Sequence, residues 1–215
     1  MSDKNFSWQL FHKVPIIGII RNLLPQHIKV IASIFAESGL TNLEITMNTK
    51  DAPKIISDLV ETSGASLNIG AGTVCSSKDL DIALSAGAKF IVTPIINEEV
   101  IKKCVAADVP VFPGAYTPSE IYKAWSLGAS MVKVFPATRL GPAYIKEILA
   151  PLNQIKLLPT GGINLDNFLD FFSAGAKGVG VGSQLFPDHL VKNEKWKELQ
   201  QLFADFESKY QTFLS

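Results

Sequence analysis

Cysteine is nearly absent from this chain of 215 residues, which holds only Cys75 and Cys104, without CxxC spacing. That excludes a disulfide framework and fits a reducing compartment. Histidine is almost as scarce: His12, His27 and His189 are scattered and none falls in a strand-like run. No His/carboxylate cluster with metal-ligand spacing results, so no metal is expected. Charge of one sign is missing too, because 20 Lys plus Arg balance 20 Asp plus Glu. Nucleic acid and anionic membranes are therefore not expected partners, and any anion must be recognised locally. No apolar run approaches membrane-spanning length. The first 13 residues are polar and amphipathic, without a signal-peptide core. Linkers and low-complexity segments are absent. These absences predict a soluble, cytoplasmic protein whose residues 1–215 form one domain.

What is present is alternation. Strand-like runs occur at 15–21, 42–47, 68–74, 90–95, 109–116, 131–137, 156–163 and 178–186. Helical patterns lie between them, with starts at Pro25, Ser77-Lys78-Asp79, Thr117-Pro118-Ser119-Glu120 and Asn164-Leu165-Asp166-Asn167. Ser, Thr or Asn followed by Pro or acids is N-terminal helix chemistry. Gly39, Gly87, Gly128 and Gly175 each stand where a helix hands over to a strand, a left-handed position that glycine adopts cheaply. Eight strand–helix units predict an α/β fold, a single (β/α)8 TIM barrel over 14–187, in preference to an open doubly wound sheet. Residues 1–13 are expected to add a helix covering the N-terminal end through Phe6 and Leu10, and 195–214 to form the last helix.

One run carries an unusual residue. Met131-Val132-Lys133-Val134-Phe135-Pro136-Ala137 reads as a buried strand with a lysine at its centre. Side chains alternate along a strand, so Lys133 and Phe135 share one face. A lysine in apolar surroundings loses solvation, which lowers its pKa and makes it a nucleophilic amine, able to form a Schiff base with a carbonyl. Glu44, between Leu43 and Ile45, is a second ionisable residue among apolar neighbours. A carboxylate beside such a lysine suits the proton transfers of imine formation. The competing structural reading is a Lys133–Glu44 ion pair that only fills the barrel. In this fold the C-terminal strand ends face a common mouth, and those positions include Arg21, Thr73, Pro94, Thr160, Gly161, Gly162, Gly182 and Ser183. The glycine sites after the seventh and eighth strands let backbone amides approach a phosphate. A phosphate-binding isomerase or synthase, and a non-catalytic sugar-phosphate sensor, share those glycines without needing an imine lysine.

Leu43-Glu44-Ile45-Thr46, Gly70-Ala71-Gly72-Thr73-Val74, Ile91-Val92-Thr93-Pro94, Pro113-Gly114, Val132-Lys133-Val134-Phe135-Pro136-Ala137, Pro159-Thr160-Gly161-Gly162-Ile163 and Val181-Gly182-Ser183 together resemble the 2-keto-3-deoxy-6-phosphogluconate aldolases and their 6-phosphogalactonate relatives. The resemblance covers about residues 14–187. It implies a class I, cofactor-free aldolase of carbohydrate metabolism, of the Entner–Doudoroff type and homotrimeric. Such an enzyme cleaves a phosphorylated keto sugar acid to pyruvate and glyceraldehyde 3-phosphate, and in some members 4-hydroxy-2-oxoglutarate to pyruvate and glyoxylate. By the same resemblance Lys133 forms the Schiff base and Glu44 is the general acid/base. Thr73 holds the pyruvyl carboxylate, and Pro94 and Phe135 pack on the pyruvyl group. Thr160, Gly161, Gly162, Gly182 and Ser183 bind the phosphate. The gluconate pattern commonly has Arg four residues after the glutamate, where this chain has Asn48. The galactonate pattern has Asn there and Arg at the end of the first strand, matching Arg21. Arg21 is thus expected to contact the carboxylate, and the C4 epimer is left open.

Overall fold

A computed structural model describes residues 5–215. Nine short strands run β1 (Ile16–Ile20), β2 (Asn42–Thr46), β3 (Asn68–Gly72), β4 (Ile91–Val92), β5 (Val111–Phe112), β6 (Gly114–Ala115), β7 (Val132–Val134), β8 (Leu157–Pro159) and β9 (Val179–Val181). The helices are α1 (Trp8–Lys13), α2 (Pro25–Glu37), α3 (Ala52–Ser63), α4 (Ser77–Ser85), α5 (Glu98–Ala106), α6 (Pro118–Ser126), α7 (Gly141–Leu149), α8 (Phe168–Ser173), α9 (Asp188–Val191) and α10 (Trp196–Leu214). All pairings are parallel, in one sheet ordered β5-β4-β3-β2-β1-β9 and another ordered β6-β7-β8. A bridge between Thr160 and Gly180 joins the free side of β8 to β9. β5 and β6 are halves of one stave interrupted at Pro113, whose nitrogen has no hydrogen to give a ladder. The ring therefore closes on eight staves, and the open-sheet alternative is excluded.

Every stave is shorter at its C-terminal end than its sequence run. The run at 131–137 keeps only Val132–Val134 before a 3₁₀ turn at Ala137–Arg139, and the run at 178–186 keeps Val179–Val181. Those apolar tails leave the ladder to form the mouth, so Thr73, Pro94 and Phe135 occupy loops rather than strands, while Thr160 keeps only the single bridge to Gly180. The helix ends follow expectation. Gly39, Gly87, Gly128 and Gly175 all have φ between 84° and 104°, and Thr117 with Glu120 forms a full capping box on α6. α8 starts later than expected, at Phe168, because Asn164 first closes a turn by accepting from Asp166 N and Asn167 N.

The alternation of side chains divides the core in two. Val132, Val134, Leu43 and Ile45 face outward into the layer between ring and helices. Phe11, Ile17, Ile19, Phe90, Val92, Phe112, Met131 and Leu158 fill the interior. Phe6 closes that interior from below, with ring centroids 5.6 Å from Phe90. Its partner from α1 is Phe11, fully buried, and not Leu10 as the sequence suggested. In a helix of six residues the phase of the apolar face is weakly specified, and the larger aromatic ring takes the central position. Residues 1–4 of the expected N-terminal helix lie outside the described residues.

Candidate active site

Glu44 is the third residue of β2, with Ile19 and Gly70 as its register partners on β1 and β3. Lys133 is the middle residue of β7, between Gly114 and Leu158. Their neighbours in sequence face outward, so both point into the ring, where Glu44 is 1% and Lys133 5% exposed. Room for the carboxylate comes from Gly72. A methyl group there would collide with Glu44 Oε1, just as one at Gly70 would collide with the Phe90 ring. The glycine alternation in Gly70-Ala71-Gly72 thus hollows the inner face of β3, one glycine for the plug below and one for the carboxylate above.

Burial pushes the Lys133 ammonium below the ordinary lysine range; Glu44 opposes that shift, and Arg21 adds to it. Burial likewise lifts Glu44 above the usual carboxylate range, while Lys133 and Arg21 pull it back. The two groups feel each other's charge, yet no ion pair within 4.0 Å joins them among the described residues. The space-filling ion pair raised by the sequence is therefore not formed. Lys133 Nζ lies 4.8 Å from the Phe135 ring centroid, a cation–π distance.

Above the ring a cavity of about 320 Å³ opens between the loops after β1, β7, β8 and β9. Seven of the residues expected at the site line it: Arg21, Phe135, Thr160, Gly161, Gly162, Gly182 and Ser183. Gly161 and Gly162 have φ of 101° and 72°, a turn that side chains oppose. Among the described residues no acceptor receives the backbone N–H of Gly161, Gly162 or Ser183. Three free amides around one cavity form a ready anion cradle.

Four expected residues are not part of that cavity. Lys133 and Glu44 belong to the ring below it, and Phe135 bridges the two by lining the cavity while lying under Lys133 Nζ. Thr73 follows Gly72 directly and is half-buried with φ 57°, a conformation rare for a β-branched residue and concentrated at functional sites. The Pro94 carbonyl packs against Gly114, the register partner of Lys133. Thr73 and Pro94 thus stand beside Glu44 and Lys133 respectively. Leu23, Gln184 and Asp188 also line the cavity, and no local motif marks them. Asp188 faces Lys192, with 2.5 Å between Oδ2 and Nζ. Cys75 is half-buried, its thiol pushed up by burial and then by Asp79; burial takes Cys104 to about 12.

A buried lysine, a buried carboxylate and an amide-lined cavity over a parallel ring match a known pattern. The family model described as KDPG and KHG aldolase covers residues 9–202 of this chain. The chain belongs to that family. As a KDPG and KHG aldolase family member it is an aldolase, a lyase. It is 34% identical to the 2-dehydro-3-deoxy-6-phosphogalactonate aldolase of Escherichia coli (strain K12) over 180 residues, which is 83% of this chain and 87% of that protein. A native KDPGal structure superposes with a TM-score of 0.87 at 31% identity, covering 94% of this chain and 97% of its own. The KDPG aldolase from Legionella pneumophila, with pyruvate captured at low pH as a covalent carbinolamine intermediate, gives 0.83 at 29% identity, covering 91% and 95%.

Proposed function

We propose that this aldolase cleaves 2-dehydro-3-deoxy-6-phosphogluconate or its galactonate epimer to pyruvate and glyceraldehyde 3-phosphate through an imine on Lys133. It also takes 4-hydroxy-2-oxoglutarate, giving pyruvate and glyoxylate. The observation that carries the proposal is the inward Lys133, held below its ordinary pKa by burial and facing Glu44 without a direct pair. Neutral Lys133 Nζ adds to the C2 carbonyl, and Glu44 delivers the proton with which the carbinolamine loses water. The imine then accepts the C3–C4 electron pair as the C4 hydroxyl gives up its proton. The aldehyde leaves, and the enamine is reprotonated at C3. Hydrolysis frees pyruvate and regenerates the amine. No free carbanion forms at any step.

Arg21 and Thr73 hold the carboxylate, the first by charge and the second by its hydroxyl. Pro94 and Phe135 flank the pyruvyl carbons. The free amides of Gly161, Gly162 and Ser183, with Gly182 and Thr160, receive the phosphate. A homotrimer in the cytoplasm completes the proposal. No helix among the described residues is long and apolar enough to cross a membrane. The test is release of pyruvate from the two epimeric phosphorylated sugar acids and from 4-hydroxy-2-oxoglutarate, assayed in parallel. Turnover of at least one sugar acid, with the epimers ranked, is expected. Failure to release pyruvate from all three would overturn the proposal.

A further inference from the structure

Arg21 follows β1 directly, and the backbone after it is held in an unusual way. Asn22 adopts a left-handed conformation, φ 54°, and its N–H donates to Thr49 Oγ1 at 3.0 Å. Thr49 lies in the turn after β2, yet it is only 4% exposed. Its Oγ1 also meets Thr46 Oγ1 at 3.0 Å, and its own N–H donates to the Thr46 carbonyl at 2.8 Å. Thr46 is the last residue of β2, the strand of Glu44. A hydroxyl has one hydrogen and two lone pairs, so Thr49 Oγ1 accepts from Asn22 while sharing a hydrogen with Thr46.

A threonine in a turn ordinarily bonds its own backbone nearby. Here the hydroxyl instead spans to a loop 27 residues away. The span couples the arginine-bearing loop to the strand that carries the carboxylate.

We infer that Thr49 is a positioning residue whose hydroxyl clamps the backbone at Asn22 and so holds Arg21 over the mouth, setting affinity for the substrate carboxylate. The inference rests on the proposed role of Arg21. The carboxylate is present in substrate and transition state alike, so losing the clamp is uniform loss of binding: KM rises while kcat stays.

The experiment measures KM, kcat and Tm for Thr49→Val, which keeps the shape but removes the acceptor, and for Thr49→Ser, which keeps it. Both are repeated in an Arg21→Ala background. Thr49→Val is expected to raise KM roughly 2–12-fold, the range of one net hydrogen bond, with kcat within about twofold. Thr49→Ser should behave as wild type, and Thr49→Val should add nothing once Arg21 is gone. Thr49→Ala replaces the valine variant should that fail to fold. An equal KM rise with or without Arg21, a fall in kcat alone, or no rescue by serine would overturn the clamp. If Arg21→Ala itself leaves KM unchanged, the carboxylate role has failed, and the clamp falls with it.

Discussion

The two ends of the ring bury polar side chains to opposite effect, and β2 and β3 contribute to both. At the lower end Asn42 and Asn68, both 0% exposed, begin those strands. Asn68 Nδ2 donates to Asn42 Oδ1 at 2.9 Å and to the Ser7 carbonyl at 2.8 Å, and its Oδ1 accepts from Ser7 N at 2.8 Å. Asn42 Nδ2 continues to the Val14 carbonyl, and Thr41 Oγ1 to that of Leu10. A network so well satisfied staples the N-terminal segment under the aromatic plug and stabilises the fold. Two residues further along β2, Glu44 is as deeply buried and has no ion pair to Lys133 among the described residues. Its burial, like that of Lys133, costs stability, because each disfavours its own charged form. Hydrogen-bonded amides hold the ring at one end; two buried ionisable groups that do not pair with each other stand at the other.

That contrast is sharpened most by Glu44→Gln. It should fold and still trap pyruvate, but turn over about 10²–10⁴-fold more slowly, the range for a lost general acid/base; near-normal kcat would return Glu44 to a structural role. Next in size, Arg21→Ala should lower kcat/KM roughly 10–200-fold, as for one charge-assisted hydrogen bond. The loss should be similar for aldol addition of pyruvate and for cleavage of the sugar acid. A variant that keeps pyruvate affinity but weakens phosphate discrimination would move Arg21 to the other end of the substrate.

At the lower end, Asn68→Ala should cost about 1–3 kcal/mol of stability, because Asn42 and Ser7 lose buried partners. Denaturant unfolding measures it, and kcat/KM should stay within about twofold; a large activity loss in the folded variant would break the division between the ends. The smallest expected effect has the opposite sign. A lysine whose pKa is lower folded than unfolded opposes folding while charged, and stability recovers as pH rises between the two values. Lys133→Met should therefore raise Tm by about 2–6 °C. The gain should be greatest toward acidic pH, where the lysine is charged, and should fade toward alkaline pH. A gain that grows with pH would reverse the sign of the lysine's contribution.

Much of this arrangement was legible in the chain, for local reasons. Strict alternation around Lys133 and Glu44 assigned them to the inner face, and Gly39 or the Thr117–Glu120 box marked helix ends through chemistry within a few residues. What stayed hidden depends on distant partners. A parallel stave ends where its neighbour stops pairing, so the apolar tails after Val134 and Val181 read as strand although they form loops. Thr73 carries no local signal for positive φ; a β-branched residue argues against it. Asn42 and Asn68 looked like ordinary strand starts, because their bonds reach across to Val14 and Ser7. Gly72 was readable as a family motif, but its purpose emerged only with the Glu44 carboxylate lying against it.

The central claim is that Lys133 is a nucleophile made available by its burial, and reduction with borohydride in the presence of pyruvate tests it most directly. Only an imine is fixed irreversibly by that treatment. Peptide mapping by mass spectrometry should find the reduced pyruvyl adduct on Lys133, and Lys133→Arg should be neither trapped nor active, since guanidinium keeps the charge without a nucleophilic nitrogen near neutral pH. An adduct on another lysine such as Lys156, or none at all, would contradict the account.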